Sequence, residues 1–419
     1  MKRLVLLLLT LFMAAQPVQA ASILSLDEAL TTALKNHPQL VEARENLYGA
    51  EARTSQVLAN FYPQISISAD WSRGRSYLTA LQNIKTTEVN TEALYLKQTI
   101  YDFGRTSGAA DAARSNRDAA DKFLLITRQD LTLRVKSAFY LLLAAEKQVA
   151  AVRETVKARE AVFKQAQEFF KQGIRAKVEV ARAEANLFAA GTTLIRAENN
   201  MAVARIELVN AMGMTSPGEF TLAEPSTDSL PLPERNQAQQ EAVDKRAELQ
   251  QITALKSAAS ANLNSAKSGF LPILSGTASI GYADRDFLPT GNVWGVGLNL
   301  TMPLFSGFAS VAQVREAGAI INAIEARKTN LRLQVIKEAE TAWLGVNEAS
   351  ARIVSTGKEV TAAEESRVLA AGRYHEGVGS IIEVTDAQTQ ALDAQTAHIQ
   401  ARYDYYIALA RLDRAIGKE

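Results

Sequence analysis

Two hydrophobic periods run through this chain, and each occurs twice. In residues 64–71, Ile65, Ile67, Ala69 and Trp71 alternate with Gln64, Ser66, Ser68 and Asp70. In residues 273–282, Leu274, Gly276, Ala278, Ile280 and Tyr282 alternate with Ser275, Thr277, Ser279 and Gly281. The return segments behave alike. Leu94, Leu96 and Ile100 share one face, as do Trp294, Val296, Leu298, Leu300, Met302 and Leu304. A period of two predicts strands with one apolar and one polar face. Strands of about ten residues with this alternation fit a transmembrane β-barrel, and an ordinary half-buried hairpin would show the same pattern.

Elsewhere the period is near 3.6. Residues 25–35 read as a short helix, with Ser25 as N-cap and Asp27 and Glu28 in the first turn. Pro38 restarts a helix that runs to about residue 59, a span of ~33 Å, with a counterpart at 241–268. From Gly104 to Gln172 there is no proline and no turn cluster, which predicts a helix of ~100 Å ending at Gly173. A second helix over 178–212 covers ~50 Å. Repeat two predicts helices over 307–376 and 380–415, separated by Gly377. Asp102 and Ser306 stand where the two long helices begin, and both are good N-cap residues.

The matching order reflects an internal duplication. Residues 59–63 (ANFYP) match 268–272 (SGFLP) at an offset of 209, and beyond the strands the offset becomes 204. At that offset Asp102 falls on Ser306, Gly173 on Gly377, Glu179 on Glu383 and Gly213 on Gly417. A repeat of this length is a duplicated domain-sized unit, too long for a solenoid. We divide the chain into a leader (1–20), a first repeat (21–213), a proline-rich linker forming a belt (214–238) and a second repeat (239–419). Four strands cannot close a barrel. Two chains would give a plugged eight-stranded barrel, and three would give twelve strands with a lumen. The segment 74–91 is about five residues longer than its counterpart, so the pseudo-symmetry should fail at that end.

Composition narrows the setting. Lys2 and Arg3, an apolar run and Val18-Gln19-Ala20 form a secretory signal, with cleavage expected after Ala20. That tips the strand reading toward a membrane barrel. The chain contains no cysteine, so neither disulfides nor a lipidated cysteine is expected. Without Lys2 and Arg3, the 46 basic residues fall to 44 against 45 acidic ones, which argues against a nucleic-acid partner. Aromatics make up only 7%, a profile of closely packed helices more than of an enzyme core. His37, His375 and His398 lack metal-ligand spacing, and no phosphate-binding loop follows a strand. No catalytic residue, cofactor or metal is expected.

The motifs at 98–104 (QTIYDFG, with Asp102 and Gly104), 302–307 (MPLFSG, with Ser306 and Gly307) and 373–388 (RYHEGVGSIIEVTDAQ) carry a resemblance to the TolC family of outer-membrane efflux ducts. It covers essentially the whole chain after the leader. The resemblance implies an α+β membrane protein with long helical hairpins and four transmembrane strands per chain. A homotrimer would complete a 12-stranded barrel in outer-membrane lipid and an α-helical tube through the periplasm. It further implies a passive, non-enzymatic duct whose far tip opens on docking a periplasmic adaptor (a membrane fusion protein) that joins it to an inner-membrane transporter. Exit of a secreted protein by type I secretion would use the same duct. A periplasmic coiled-coil adaptor is a third reading, against which the duplicated strand pairs argue.

Glu383 and Asp386 follow the second tip at i and i+3, on one helix face. The resemblance places acidic residues there around the pore constriction, where they would attract cations. Ser380 and Glu383 also form a capping-box pattern. In repeat one Glu179 matches Glu383, but Arg182 stands in the place of Asp386. Arg182 would either latch a closed ring by pairing with Asp386 of a neighbouring hairpin or pair locally with Glu179. Gly173, Ile174 and Arg175, with Gly377, Val378 and Gly379, form two turns expected to be exposed and to contact the adaptor. The resemblance puts a small hydroxyl residue where this chain has Val178. Gln64, Ser66, Asp70 and Lys97 are expected to face a wet barrel interior.

Overall fold

A computed structural model describes residues 22–78, 82–216, 220–225 and 232–418. The leader expected over 1–20 lies outside these residues, as do parts of the expected linker and of the long outer segment. The two repeats carry helices of identical length. α1 (Leu26–Asn36) and α5 (Arg235–Lys245) have 11 residues each. α2 (Pro38–Leu58) and α6 (Ala247–Lys267) have 21. α3 (Arg105–Lys171) and α7 (Ala309–His375) have 67, and α4 (Lys177–Ala211) and α8 (Ile381–Ala415) have 35. No helix among the described residues is long and apolar enough to cross a membrane.

One expectation needs correction. The helix expected over 241–268 is two helices, α5 and α6, broken at Arg246. Arg246 lies 209 residues after His37, which breaks α1 from α2 in the same way. α5 therefore begins inside the segment expected to be linker. The sequence signal was faint because the buried stripe of α5 is only Ala238 and Ala242, the repeat partners of Ala29 and Ala33. Alanine spaced i, i+4 amid polar residues gives little amphipathic contrast.

One compact unit comprises the described residues up to Val41, Thr127–Asp244 and those from Ile336 onward. Its helices pack through alanine seams. Ala183, Ala190 and Ala197 on α4 recur every seven residues, as do Ala387, Ala394 and Ala401 on α8, and all are buried. A seven-residue repeat holds one face of a helix against its neighbours, and the small methyl side chain lets backbones approach. Larger residues of α3 are also almost fully buried, among them Leu131, Val135, Phe139 and Leu142. Truncating one such leucine to alanine typically costs about 2–5 kcal/mol. In the same unit β1 (Ser22–Leu24) pairs in parallel with β4 (Phe220–Leu222). Arg205 fixes β4, donating to the Phe220 carbonyl at 3.0 Å while stacked 4.6 Å from its ring. At the α1–α2 junction Gly213, at φ +72°, leaves room for His37, because a Cβ there would sit 2.8 Å from His37 Cα.

The second unit, Glu42–Ile126 with Lys245–Val335, holds the four strands. β2 (Gln64–Leu78), β3 (Asn83–Tyr101), β5 (Ile273–Asp284) and β6 (Asn292–Thr301) form an antiparallel sheet in that order. Within this sheet β2 and β6 are the free edges.

Candidate functional surfaces: the sheet and the helical tips

The ladder register aligns the alternating residues of all four strands. Ile67 pairs with Leu94, Leu94 with Ile280 and Ile280 with Trp294, while Ile65, Leu96, Ala278 and Val296 form the neighbouring row. These rows share one face, and its apolar side chains are exposed: Ile67 81%, Trp294 75%, Val296 79% and Leu298 75%. A continuous apolar face left open is built for lipid or for a partner. The opposite face carries Gln64 paired with Lys97, Ser66 with Tyr95 and Asp70 with Thr91, and then Ser275, Thr277, Ser279, Gly295 and Gly297. The four residues expected to face a wet interior thus lie together on the polar face.

At each strand-to-helix junction two successive residues take positive φ: Phe103 and Gly104 in repeat one, Gly307 and Phe308 in repeat two. Asp102 and Ser306 stand just before these turns. Asp102 Oδ1 accepts from Gly104 N at 3.2 Å and Oδ2 from Thr106 N at 2.8 Å. Ser306 Oγ accepts from Ser310 N at 3.3 Å. Both satisfy a first-turn amide from outside the usual N-cap position. Tyr101 and Phe103 pack edge to face at 4.6 Å, and Phe305 and Phe308 at 5.4 Å. Aromatic pairs at the ends of an apolar sheet face resemble the girdles that mark membrane interfaces.

The tips lie in the first unit. Both helices end alike, with Gly173 at φ +75° and Gly377 at φ +77°. Ile174 N donates to Phe169 O at 2.9 Å, and Val378 N to Arg373 O at 3.0 Å, closing each helix with a left-handed cap. Arg175 then joins the two turns. Its guanidinium donates to the carbonyls of Gly377 at 2.9 Å and Gly379 at 2.7 Å. It also lies 3.6 Å from Glu179 Oε1 and 5.9 Å from the centre of the Tyr374 ring. Tyr374 is 1% exposed, and its hydroxyl donates to Glu179 Oε2 at 3.4 Å. Burial pushes that hydroxyl up to about 12, the Glu179 charge adds to the shift, and Arg175 opposes it. Phe169, Val162, Ala166, Ile381 and Val384 pack around the ring.

This geometry revises several expectations. Glu179 pairs with Arg175 and Tyr374, in place of the local Arg182 pair. The capping box at Ser380 is half formed: Ser380 Oγ accepts from Glu383 N at 3.2 Å, but the Glu383 carboxylate turns to Arg373 Nε at 3.1 Å. Arg373 is near enough across the hairpin to win that carboxylate. Gly379 is buried where an exposed turn was expected, since a Cβ there would meet Tyr374 N at 2.8 Å. Arg182 and Asp386 are exposed and are not brought together within the chain. Ile174, Val178, Val378 and Ile382 are exposed apolar residues, equivalent in pairs across the repeat. The reading of the sequence missed Tyr374 and Arg373. Their repeat-one equivalents are Phe170 and Phe169, so a hydroxyl and a cation in place of two phenyl rings was the available signal.

Among the described residues no group of histidine, aspartate and glutamate side chains could hold a metal ion. The chain is 24% identical over 407 residues to outer membrane protein TolC of Vibrio cholerae serotype O1, covering 94% of this chain and 90% of that protein. It is 24% identical over 411 residues to the outer membrane efflux protein BepC of Brucella suis biovar 1, covering 96% and 87%. The CmeC outer membrane channel of Campylobacter jejuni superposes with a TM-score of 0.85 at 18% identity, over 94% of this chain and 85% of that one. The model of the outer membrane efflux protein family matches residues 29–214 and 238–418, nearly one match for each repeat. The chain therefore belongs to the outer membrane efflux protein family, whose members are TolC-like transport channels of the outer membrane and not enzymes.

Proposed function

We propose that the chain is the outer-membrane duct of a tripartite efflux system, a passive exit for substrates delivered by an inner-membrane transporter through a periplasmic adaptor. The observation that carries this reading is the sheet, with one exposed apolar face, one polar face and both edges free. β2 and β6 run in opposite directions, so β6 of one copy can pair antiparallel with β2 of the next. Three copies close twelve strands, the polar face turns inward around a lumen, and no strand edge is left unpaired. Residues 1–20 direct export, and the mature chain stands in the outer membrane and extends into the periplasm.

The tip cluster is the resting gate. Arg175 ties the two turns, and Glu383 with Asp386 presents carboxylates at the constriction. Arg182 is exposed and free to reach Asp386 of a neighbouring hairpin. Ile174, Val178, Val378 and Ile382 offer the adaptor an apolar, repeat-related contact, and opening requires the Arg175 bonds to break.

Single-channel conductance of the purified oligomer in a planar bilayer tests this, wild type beside Glu383→Ala/Asp386→Ala. Small cation-selective steps that grow in the variant are expected. Steps unaltered in size and selectivity would return the two carboxylates to local pairing and solvation. A heat-stable monomer that stays out of membranes would overturn the duct.

A further inference from the structure

β2 and β3 do not stop where the four-stranded sheet stops. The β3–β5 ladder ends at Asn90 and Asp284, but β2 and β3 continue for seven more rungs, from Ser72–Val89 to Leu78–Asn83. The result is a two-stranded ribbon on one hairpin of each chain. The β5–β6 hairpin has no such extension, and its ladder ends at Tyr282 and Asn292.

The ribbon continues the alternation of β2 but changes its chemistry. Along the apolar face the order is Ile65, Ile67, Ala69, Trp71, Arg73, Arg75. Apolar residues give way to an indole and then to two guanidinium groups. At about 3.3 Å per residue, the arginines stand roughly 7 and 13 Å beyond Trp71 along the strand. Trp71 is anchored, with Nε1 donating to Glu88 Oε1 at 3.0 Å. Glu88 is therefore shared, and its other oxygen lies 3.9 Å from Arg73 Nε. The ladder partner of Arg75 is Thr86, so no carboxylate stands directly across from it. The other acids on this face, Glu92 level with Ala69 and Asp284 level with Trp71 through Asn90, both lie on the near side of Arg73. The ribbon itself carries Arg73, Arg75 and Lys85 against Glu88.

Repeat two shows the contrast. The positions 209 residues after Arg73 and Arg75 are Tyr282 and Asp284. The Asp284 carboxylate is taken up by its own turn, accepting from Arg285 N at 2.7 Å and Thr290 Oγ1 at 3.1 Å. The cationic extension is thus a property of one hairpin and does not follow from the duplicated design.

We infer that the β2–β3 ribbon binds the phosphate groups of the anionic glycolipid in the outer leaflet, with Arg73 and Arg75 as the phosphate ligands. The inference rests on the outer-membrane reading above. An arginine just beyond an interfacial tryptophan lies at headgroup depth, and its planar donors match a phosphate. Basic residues at a membrane surface are drawn to anionic headgroups and released by salt.

The test is native mass spectrometry of the purified oligomer titrated with bisphosphorylated lipid A, with phosphatidylcholine as the neutral comparison. Wild type should retain lipid A in preference, and added salt should erode the preference. Arg73→Ala/Arg75→Ala should weaken lipid A binding by roughly tenfold and leave phosphatidylcholine unchanged. Arg73→Lys/Arg75→Lys should keep most of the binding, which separates charge from a damaged ribbon. Equal lipid A binding by wild type and the alanine variant overturns the inference, and so does loss that the lysine variant fails to rescue. Equal wild-type affinity for the two lipids overturns it as well but leaves the barrel standing. A wild-type oligomer that takes up neither lipid and fails to insert would instead bring down the outer-membrane reading.

Discussion

Tip one and tip two share a backbone and differ in nearly every side chain that joins them. Each closes its long helix with a glycine near φ +76° and the same amide-to-carbonyl bond across the turn. At the equivalent positions Arg175 faces Gly379, Phe170 faces Tyr374, and Ala176 faces Ser380. Tip one contributes a cation, and tip two contributes bare carbonyls and the space that a missing Cβ leaves. Duplication preserved the turn, while complementary changes at equivalent positions made the two tips bind each other. Two identical arginines would repel, and two identical glycines would have nothing to donate.

The largest effect that would break this pairing is expected from Gly379→Ala. Its Cβ would press on Tyr374 N and Arg373 C and displace the carbonyls that Arg175 holds, so overpacking of about 1–3 kcal/mol adds to the loss of those bonds. Hydrogen exchange of residues 373–383 should accelerate, and conductance should rise. Gly173→Ala, with open space around it, should perturb only its own turn, by about 1–2 kcal/mol for the positive φ. If both variants loosened tip two equally, the asymmetry would be lost.

Arg175→Ala comes next. It leaves two carbonyls without their donor and the half-buried Glu179 without its cation, with the Tyr374 hydroxyl still donating to it, a loss of about 1.5–3 kcal/mol for a charged bond of this kind. Spin labels on the two turns should report a wider distance distribution, and channel opening should become more frequent. Arg175→Lys should restore only part of the closure, because an ammonium lacks the planar fork.

The cap difference offers a smaller and reciprocal test. Ser380→Ala should cost about 1 kcal/mol at the start of α8, while Ala176→Ser should gain a few tenths to about 1 kcal/mol at the start of α4. Amide exchange at Glu383 and Glu179 would read the two changes separately. Tyr374→Phe is of similar size, since it removes a single long hydroxyl bond to Glu179 and should cost about 0.5–1.5 kcal/mol. A loss as large as that of Arg175→Ala would move the centre of the latch from the guanidinium to the phenol.

Much of this architecture was legible in the residues. The strands declared themselves because Ile65, Ile67, Trp71 and their counterparts alternate strictly, and the long helices because nothing between Gly104 and Gln172 interrupts them. The resemblance to a family of efflux ducts added the expectation of a trimer, a tube and a gate, none of which periodicity supplies. α5 was missed because two alanines in a polar helix carry little hydrophobic contrast. At the tips the sequence offered Glu179, Arg182, Glu383 and Asp386 as interacting charges, but helical spacing cannot say which cation reaches which carboxylate. Arg175 lies four residues before Glu179 and across a turn from two carbonyls, a relation visible only once both hairpins are in place.

What the sequence by itself determined is the duplicated order of strand pairs and long helices and the two faces of each strand. Those follow from local rules, since a glycine ends a helix, a period of two makes a strand and a seven-residue alanine repeat makes a seam. Tertiary structure alone decided the partners: Arg175 with the second tip's carbonyls and Arg373 with Glu383. Arg175 and those carbonyls stand some 200 residues apart in the chain, and Arg373 meets Glu383 only across a turn, distances that no local preference encodes.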